Sequence, residues 1–414
     1  MKLNTIAALV SAASYVSAQQ IAQDPGVQGP PLEIVHLYYN EFPTGVAVSS
    51  SNRIFSCYPA GLDANNTQYQ VAELTGNSTE TPYPNARINS PPGGSLNYST
   101  YPVSSANYQN YFIGVQSVAI DPLERLWILD TGRALTPNGT LAPAVNGGPK
   151  LVAVDLATNT INRTILLPPT VAYPLSYIND VRIDLRPNVT ASGQGVAYIT
   201  DSSQMGTNGL IIVDLGTNEA WRHLDNSPTV RATRQHFKEV WGESVYFLPG
   251  PGLPYTYDPT GADGIAFLDG GDTIVWSPTG SRYLYSIANK YLLDNSLNSE
   301  ITAQTNIRYL GEKGTSDGLM QDTNQYVYAG NFEQNAINIY NNRNNTVSTY
   351  VRDPRIGWTD SMWISNGYLY FVENQLWRSP SYFPGTDRRI KPYVLYRVPT
   401  ADGGQRVAPM NITS

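Results

Sequence analysis

Along this 414-residue chain, apolar and polar positions alternate in short runs, and the runs come in pairs joined by polar turns. "VQSVAIDPLERLWILDTGR", Val115 to Arg133, shows the unit: Val115, Val118 and Ile120 lead into "DPLER", and "LWILD" makes a second apolar run. Two such strands bury too little surface to fold alone in water, so the hairpin needs neighbours of its own kind. The chain supplies them. A polar residue, a small or acidic one, an apolar-x-apolar triplet and then an aromatic second strand recur from Thr44, Gln116, Asn179, Asp263, Asp317 and Asp360. Between them, "KLVAVDLATNTINRTILL", "GLIIVDLGTNEAWRHL" and "AINIYNNRNNTVSTYV" each read as a strand, a "DLxTN"-like turn and a second strand.

Hairpins recurring every roughly 40 to 80 residues, four strands to a unit, make the blades of a propeller. The pattern therefore predicts an all-β chain folded as a six-bladed β-propeller, one domain over residues 32–399. An open ring would leave two sheet edges unpaired. The orphan runs "LEIVHLYY", Leu32 to Tyr39, and "YVLYRVP", Tyr393 to Pro399, are expected to share one blade, so that N- and C-terminal strands close the ring. Residues 19–31 then read as a flexible N-terminal segment and 400–414 as a C-terminal tail. "TRQHFKEVWGES", Thr233 to Ser244, is the one candidate helix. The Pro-, Gly- and Tyr-rich stretches Leu62 to Asn110 and Trp241 to Tyr257 are expected on the rims, as lids.

A formal charge of −7, with no basic run longer than a pair, argues against a nucleic-acid surface. The first residues, "MKLNTIAALVSAASYVSAQQ", combine one Lys, a short apolar run and small residues at Ser17 and Ala18, the pattern of a secretory signal peptide with cleavage after Ala18. That run is too short to span a bilayer, and no later segment reaches the length needed. Eight N-x-S/T sequons, at Asn65, Asn77, Asn97, Asn138, Asn162, Asn188, Asn344 and Asn411, fit a secreted glycoprotein. Cys57 is the only cysteine, so no internal disulfide forms; its apolar setting "RIFSCYP" reads as a buried structural thiol.

The first residue of each innermost propeller strand faces one mouth of the channel, which puts Thr44, Gln116, Asn179, Asp263, Asp317 and Asp360 on a ring. Carboxylates converging there repel unless protonated, hydrogen-bonded or bound to a cation. Their hard oxygens make Ca²⁺ the natural candidate cation. The bland alternative is that they cap strand ends, bonded to backbone N–H groups; a third is direct contact with an organic ligand. Trp127 and Asp130 of "LWILD" read as architecture, the one packed between blades and the other tying a turn. Of the three histidines, His36 and His223 read as packed, while His236, beside Arg234 and Lys238, is the candidate acid or base. No HxH, HExxH, G-x-S-x-G, P-loop or dinucleotide fingerprint occurs. Tyrosine is frequent, 29 copies against nine Phe, and suits both strands and a channel that grips a flat guest.

"PTGVAV" at Pro43, "RLWILDTG" at Arg125, "INDVRID" at Ile178, "VAYITDS" at Val196 and "WTDSMWISNGYLYFVENQL" at Trp358 resemble the major royal jelly protein/Yellow family, over Glu33 to about Val398. The resemblance implies a secreted six-bladed propeller with a ligand site in its channel. It carries Asn331, Phe332 and Asn335 of "YAGNFEQNAINIYN" over to a small-ligand site, with Trp358 as a further aromatic wall; the family's "CW" after this segment is here Ile339 and Tyr340. A more distant likeness is to the gluconolactonase/senescence-marker propellers, which hold a divalent metal in the channel. Their pattern falls on Glu41 in "EFP", Asn179 and Asp317, with Asp263 standing where the family has Asn.

Three functions follow. In the first, the channel holds a small aromatic or quinonoid metabolite and promotes a non-redox conversion, tautomerisation or cyclisation, in secondary-metabolite or pigment biosynthesis, with Asp317, Asp360 and His236 as candidate catalytic groups and Thr44 and Gln116 as ligand contacts. Such chemistry needs positioning and one acid or base. The second is a non-catalytic small-ligand-binding or interaction protein. The third is a metal-dependent, lactonase-like hydrolase in which a channel cation activates water.

Overall fold

The structure, a computed structural model, describes residues 26–250 and 252–410. The signal-peptide segment and Asn411 lie outside the described residues. Six four-stranded antiparallel sheets form the blades of a propeller, as the repeat predicts. Their innermost strands, in order, are Gly45–Val48, Val115–Ile120, Ile178–Asp184, Ala262–Leu268, Leu319–Gln321 and Thr359–Ser365. Burial falls from axis to rim: Val115–Ile120 is buried at every position, whereas Thr160–Leu166, outermost in the same blade, is mostly exposed.

Glu33–Tyr38 is the outermost strand of the sixth blade, paired antiparallel with Tyr393–Pro399, with Glu33 opposite Arg397 and Tyr38 opposite Tyr393. The two ends of the chain thus close the ring. The "DLxTN" turns work as their chemistry requires. Asp155 Oδ1 accepts the N–H groups of Ala157 and Thr158, and Asp214 Oδ1 those of Gly216 and Thr217. Asn159 and Asn218 then take the left-handed backbone, with φ of 55° and 67°.

Neighbouring inner strands touch backbone to backbone. Gly318 N–H donates to the Asp360 carbonyl across 2.7 Å, and a Cβ on Gly318 would fall 2.4 Å from that oxygen. Gly264 is as tight, its Cβ position 2.6 Å from the Asp317 carbonyl. These positions admit no side chain.

Two expectations are corrected. Thr233 to Ser244 is not a helix: Trp241 and Gly242 have φ of 53° and 74°, so they turn a hairpin pairing Glu239 with Ser244. Two consecutive positive φ values are the geometry of a tight two-residue hairpin turn and are incompatible with a right-handed helix. The α-helices among the described residues are Lys290–Leu293 and Ser299–Thr305, between the third and fourth strands of the fourth blade. The stretch Leu62 to Asn110 is only partly an insertion, since Val71–Leu74 and Glu80–Pro82 complete the first blade.

Trp127 is fully buried, its indole N–H donating to Asp121 Oδ2 at 2.7 Å. Trp127→Ala is expected to lower unfolding free energy by about 3–5 kcal/mol in chemical denaturation. The same truncation at Leu297, 98% exposed, is expected to stay within about 0.5 kcal/mol.

Candidate functional site

In four blades the register of the inner pair slips at the residue that heads the strand: between Val115 and Ser117, Ile178 and Val181, Ala262 and Gly264, and Thr359 and Met362. A bulge frees the extra residue from the ladder and re-aims its side chain. The residues so freed include Gln116, Asn179, Asp263 and Asp360. Thr44 and Asp317 precede their strands by one and two residues.

A second device holds the approach to each strand. In the second, third and sixth blades a carboxyl group ends the second strand and accepts the backbone N–H groups ahead of the ring residue. Asp130 takes those of Ile113 and Gly114 at 2.8 and 3.0 Å, Asp201 that of Tyr177 at 2.9 Å, and Glu373 that of Gly357 at 2.8 Å. Lys150 at 2.8 Å and Arg222 at 3.0 Å balance the first two charges. The Asp of "LWILD" is therefore a clamp that sets the ring. Asn331 ends the second strand of the fifth blade; its Oδ1 is buried without a partner, and its Nδ2 donates to Gln334 Oε1 at 3.0 Å.

All six ring residues are buried. Thr44 Oγ1 and Cys57 Sγ both donate to the Gln116 carbonyl at 3.0 Å, and the Tyr177 hydroxyl donates to Gln116 Oε1 at 2.9 Å. Asn179 Nδ2 donates to Asp263 Oδ2 at 2.7 Å and to Ser202 Oγ at 2.9 Å. The Trp358 indole N–H donates to Asp317 Oδ2 at 2.7 Å, and Asn374 Nδ2 to Asp360 Oδ2 at 2.5 Å. Asp180, which the sequence reading left out, belongs to the same group. It accepts from Ser117 Oγ at 3.0 Å, lies 3.5 Å from Arg182, and its charge acts on Asp263, Asp317 and Asp360. The signal for it was two successive polar residues, "ND", heading an apolar strand.

The crowding raises the proton affinity of these acids. Burial pushes Asp263 well above the ordinary carboxylate range, and the neighbouring Asp317 charge pushes it further; Asp360 is raised for the same two reasons. Burial raises Asp317 too, but a bond with Asp263, the Lys238 ammonium and the Trp358 N–H all favour its charged form. All three acids thus hold a proton more tightly than a solvated carboxyl group does, and Asp317 is the one whose neighbours oppose that shift.

The segment after the third blade covers this mouth. Lys238 Nζ pairs with Asp258 Oδ2 at 2.7 Å, both buried, and the Tyr382 hydroxyl donates to the same oxygen at 2.7 Å. Burial acts to raise Asp258, but the Lys238 ammonium and bonds from Lys238, Thr260 and Tyr382 bring it below its ordinary value. Lys238 Nζ sits 4.6 Å from the centre of the Trp358 ring, which stacks on Phe332 with centroids 4.3 Å apart at 20° and on Trp377 at 6.4 Å and 12°. The rings of Phe332, Trp358 and Trp377 are buried against one another beneath the cap.

The remaining candidates scatter. Glu41 faces a loop, accepting from the backbone N–H groups of Gln68 at 2.5 Å and Tyr69 at 3.3 Å, and burial pushes it up to about 7. Among the described residues no group of three or more His, Cys, Asp or Glu is placed to hold a metal ion. Asn179, Asp263 and Asp317 do come together, with N–H donors from Asn179 and Trp358 on the carboxylate oxygens. Asn335 is left-handed, φ 53°, and donates to the Ile356 carbonyl at 2.7 Å. His236 Nε2 lies 2.8 Å from Thr315 Oγ1; burial, then Arg282, push it down to about 4, so it is neutral at neutral pH. His36 and His223 are packed against Glu80 and Glu300 at 3.0 and 3.1 Å. No helix among the described residues is long and apolar enough to cross a membrane.

Comparison with known proteins agrees with this architecture. Residues 113–406 match the family described as major royal jelly protein. "Protein yellow" of Drosophila pseudoobscura pseudoobscura is 26% identical over 274 residues, 62% of this chain and 41% of that protein. The Drosophila melanogaster protein of the same name is 26% identical over 62% of this chain and 43% of its own length. The alignment thus spans about two fifths of these curated relatives. Among solved structures, a luciferin-regenerating enzyme superposes with a TM-score of 0.52 over 93% of this chain and all of its own, at 11% identity. A putative gluconolactonase gives 0.49 over 92% of this chain and 95% of its own, at 9% identity.

Burial raises Glu373 to about 8 from 4.5. Between those values the folded state holds a proton that the unfolded chain has released, so stability falls as pH rises. Glu373→Gln, which mimics the neutral acid, is expected to flatten the decline in melting free energy from pH 4.5 to 8 by up to about 1.4 kcal/mol per pH unit, read from denaturation at each pH. An unchanged slope would mean that Glu373 is ionised in the fold.

Proposed function

The chain belongs to the major royal jelly protein family, and on that premise we propose that it holds a small aromatic or quinonoid metabolite at the capped mouth of its channel and promotes a non-redox conversion of it, a tautomerisation or cyclisation. The observation that carries this reading is the set of buried carboxyl groups of Asp263, Asp317 and Asp360, which act on one another's charge, with Asp317 bonded to Trp358. All three have raised proton affinity, and Asp317 alone receives an indole N–H and lies near an ammonium, both of which favour its charged form. That is an acid–base set able to take a proton from one atom of a conjugated guest and return one to another, which is all a tautomerisation needs.

In this reading Asp317 is the base and Asp263 or Asp360 the acid. Gln116 and Thr44 bind the guest's polar edge. Phe332 and Trp358 offer apolar faces to a flat ring once the cap formed by Lys238, Asp258 and Tyr382 moves aside. His236 is neutral and bonded to Thr315. A location outside the cell fits the apolar N-terminal stretch and the sequons. Asn65, Asn77, Asn138, Asn162, Asn188 and Asn344 are exposed and Asn97 half-buried, so the surface offers glycan sites.

The test is turnover of oxidised catechols, quinone methides and small lactones by wild type and Asp317→Asn. The amide keeps the shape and accepts the Trp358 N–H but takes no proton from a substrate. The expected result is isomerisation of a quinonoid substrate, with kcat lowered about 100-fold or more in the variant and affinity little changed. Tight binding of one compound with turnover of none would make the protein a carrier. Lactone hydrolysis abolished by chelator would make it a metal-dependent hydrolase.

A further inference from the structure

The far end of the channel is closed by a different part of the chain. Residues 405–409, expected as tail, cross the ends of the inner strands opposite the carboxyl ring. Thr323 N–H donates to the Gln405 carbonyl at 2.8 Å, and Leu185 N–H to the Pro409 carbonyl at 2.9 Å. Arg406 bridges to Asp322, donates from Nη1 to the Ile120 carbonyl at 2.7 Å, and lays its guanidinium 4.9 Å over the Trp363 ring. These partners belong to the second, third, fifth and sixth blades or to the turns that leave them.

Behind this strap lies a cavity of about 10 Å³ whose walls include Arg182, Gln321, Arg406, Ile120, Phe267 and Trp363. That is about the least volume that holds one water molecule. Two of its walls carry polar atoms with no protein partner: Arg182 Nε, on a residue 6% exposed, and Gln321 Oε1, on a residue 1% exposed. The other Arg182 nitrogens are engaged, Nη1 with the Val181 carbonyl at 2.9 Å and Nη2 with that of Leu319 at 2.6 Å. Gln321 Nε2 reaches the Val407 carbonyl at only 3.5 Å.

A buried donor and a buried acceptor without partners are each costly, and here they sit on two residues that line one small space. The guest that relieves both must accept from an N–H and donate to an amide oxygen. A halide serves the arginine but meets the negative end of the Gln321 amide; a metal cation meets the arginine with like charge. We propose that this cavity holds one internal water molecule, accepting from Arg182 Nε–H and donating to Gln321 Oε1, and that residues 405–409 are the stopper that seals it into the lower mouth of the channel.

Diffraction from crystals of the protein, with a parallel bromide soak, tests the occupant. A single water-sized peak within hydrogen-bond distance of both atoms, without anomalous bromide signal, is expected; a dry cavity or a bromide peak would overturn the proposal. Arg406→Ala and a chain ending at Gly403 test the stopper by amide hydrogen exchange. Exchange at Ile120, Asp184 and Gln321 is expected to quicken at least tenfold while the outer strands stay protected. Unchanged exchange there, or equal acceleration in every strand, would overturn the stopper, and Arg406→Ala alone carries the reading if the shortened chain does not fold.

Discussion

Where the fifth and sixth blades meet, a glycine N–H donates to a carbonyl of the next inner strand, and even a methyl group at Gly318 would strike that carbonyl. Backbone approaching backbone at this distance leaves no room for side chains to space the blades. At this junction, and at Gly264 beside the Asp317 carbonyl, the spacing of the blades is therefore set by the main chain. Every residue heading an inner strand is brought towards its counterparts whatever its charge, and the chemistry of the site descends from that constraint.

Carboxyl groups forced together in this way can be relieved by protons, by hydrogen bonds or by a cation. Here N–H donors come from Asn179, Trp358 and Asn374, and burial together with the Asp317 charge raises the proton affinity of Asp263 and Asp360. The same burial that makes ionisation expensive strengthens every charge interaction within the group, because water does not screen it. A Lys238–Asp258 pair, itself buried, lies beside the group, and its ammonium acts on Asp317. Removing either partner would leave an uncompensated charge, which is the disruptive way to break a buried pair.

The blades were legible because their signal is periodic and local: the hairpin grammar, the Asp-led turns and the buried Trp127 all follow from residues a few positions apart. So was the ring, since a polar residue at the head of an apolar strand is visible in sequence. The bulges that aim those residues were not, because a bulge depends on the register of two strands rather than on either one. A lid from Trp241 to Tyr257 was expected, but the contacts that anchor it were not, for a similar reason. Lys238 finds Asp258 and Tyr382 only in three dimensions, and an apparently helical stretch was turned into a hairpin by left-handed backbone at Trp241 and Gly242. The segment 405–409 lacks any apolar periodicity and holds its place through backbone bonds and one arginine, none of which leaves a mark in the pattern.

The sixth blade is built from the two ends of the chain, and this has a consequence for how the molecule comes into being. Glu33 pairs with Arg397, so one of the earliest strands to leave the ribosome meets its partner only after nearly everything else has been made. At about 5–20 residues per second, that interval is tens of seconds, during which the first blade and the last lack their neighbours. Blades can form as they emerge, but the ring cannot, and until it closes the carboxyl groups do not converge. A nascent chain of this protein is thus a row of sheets without a site, and the site exists only from the moment the last strand is laid down.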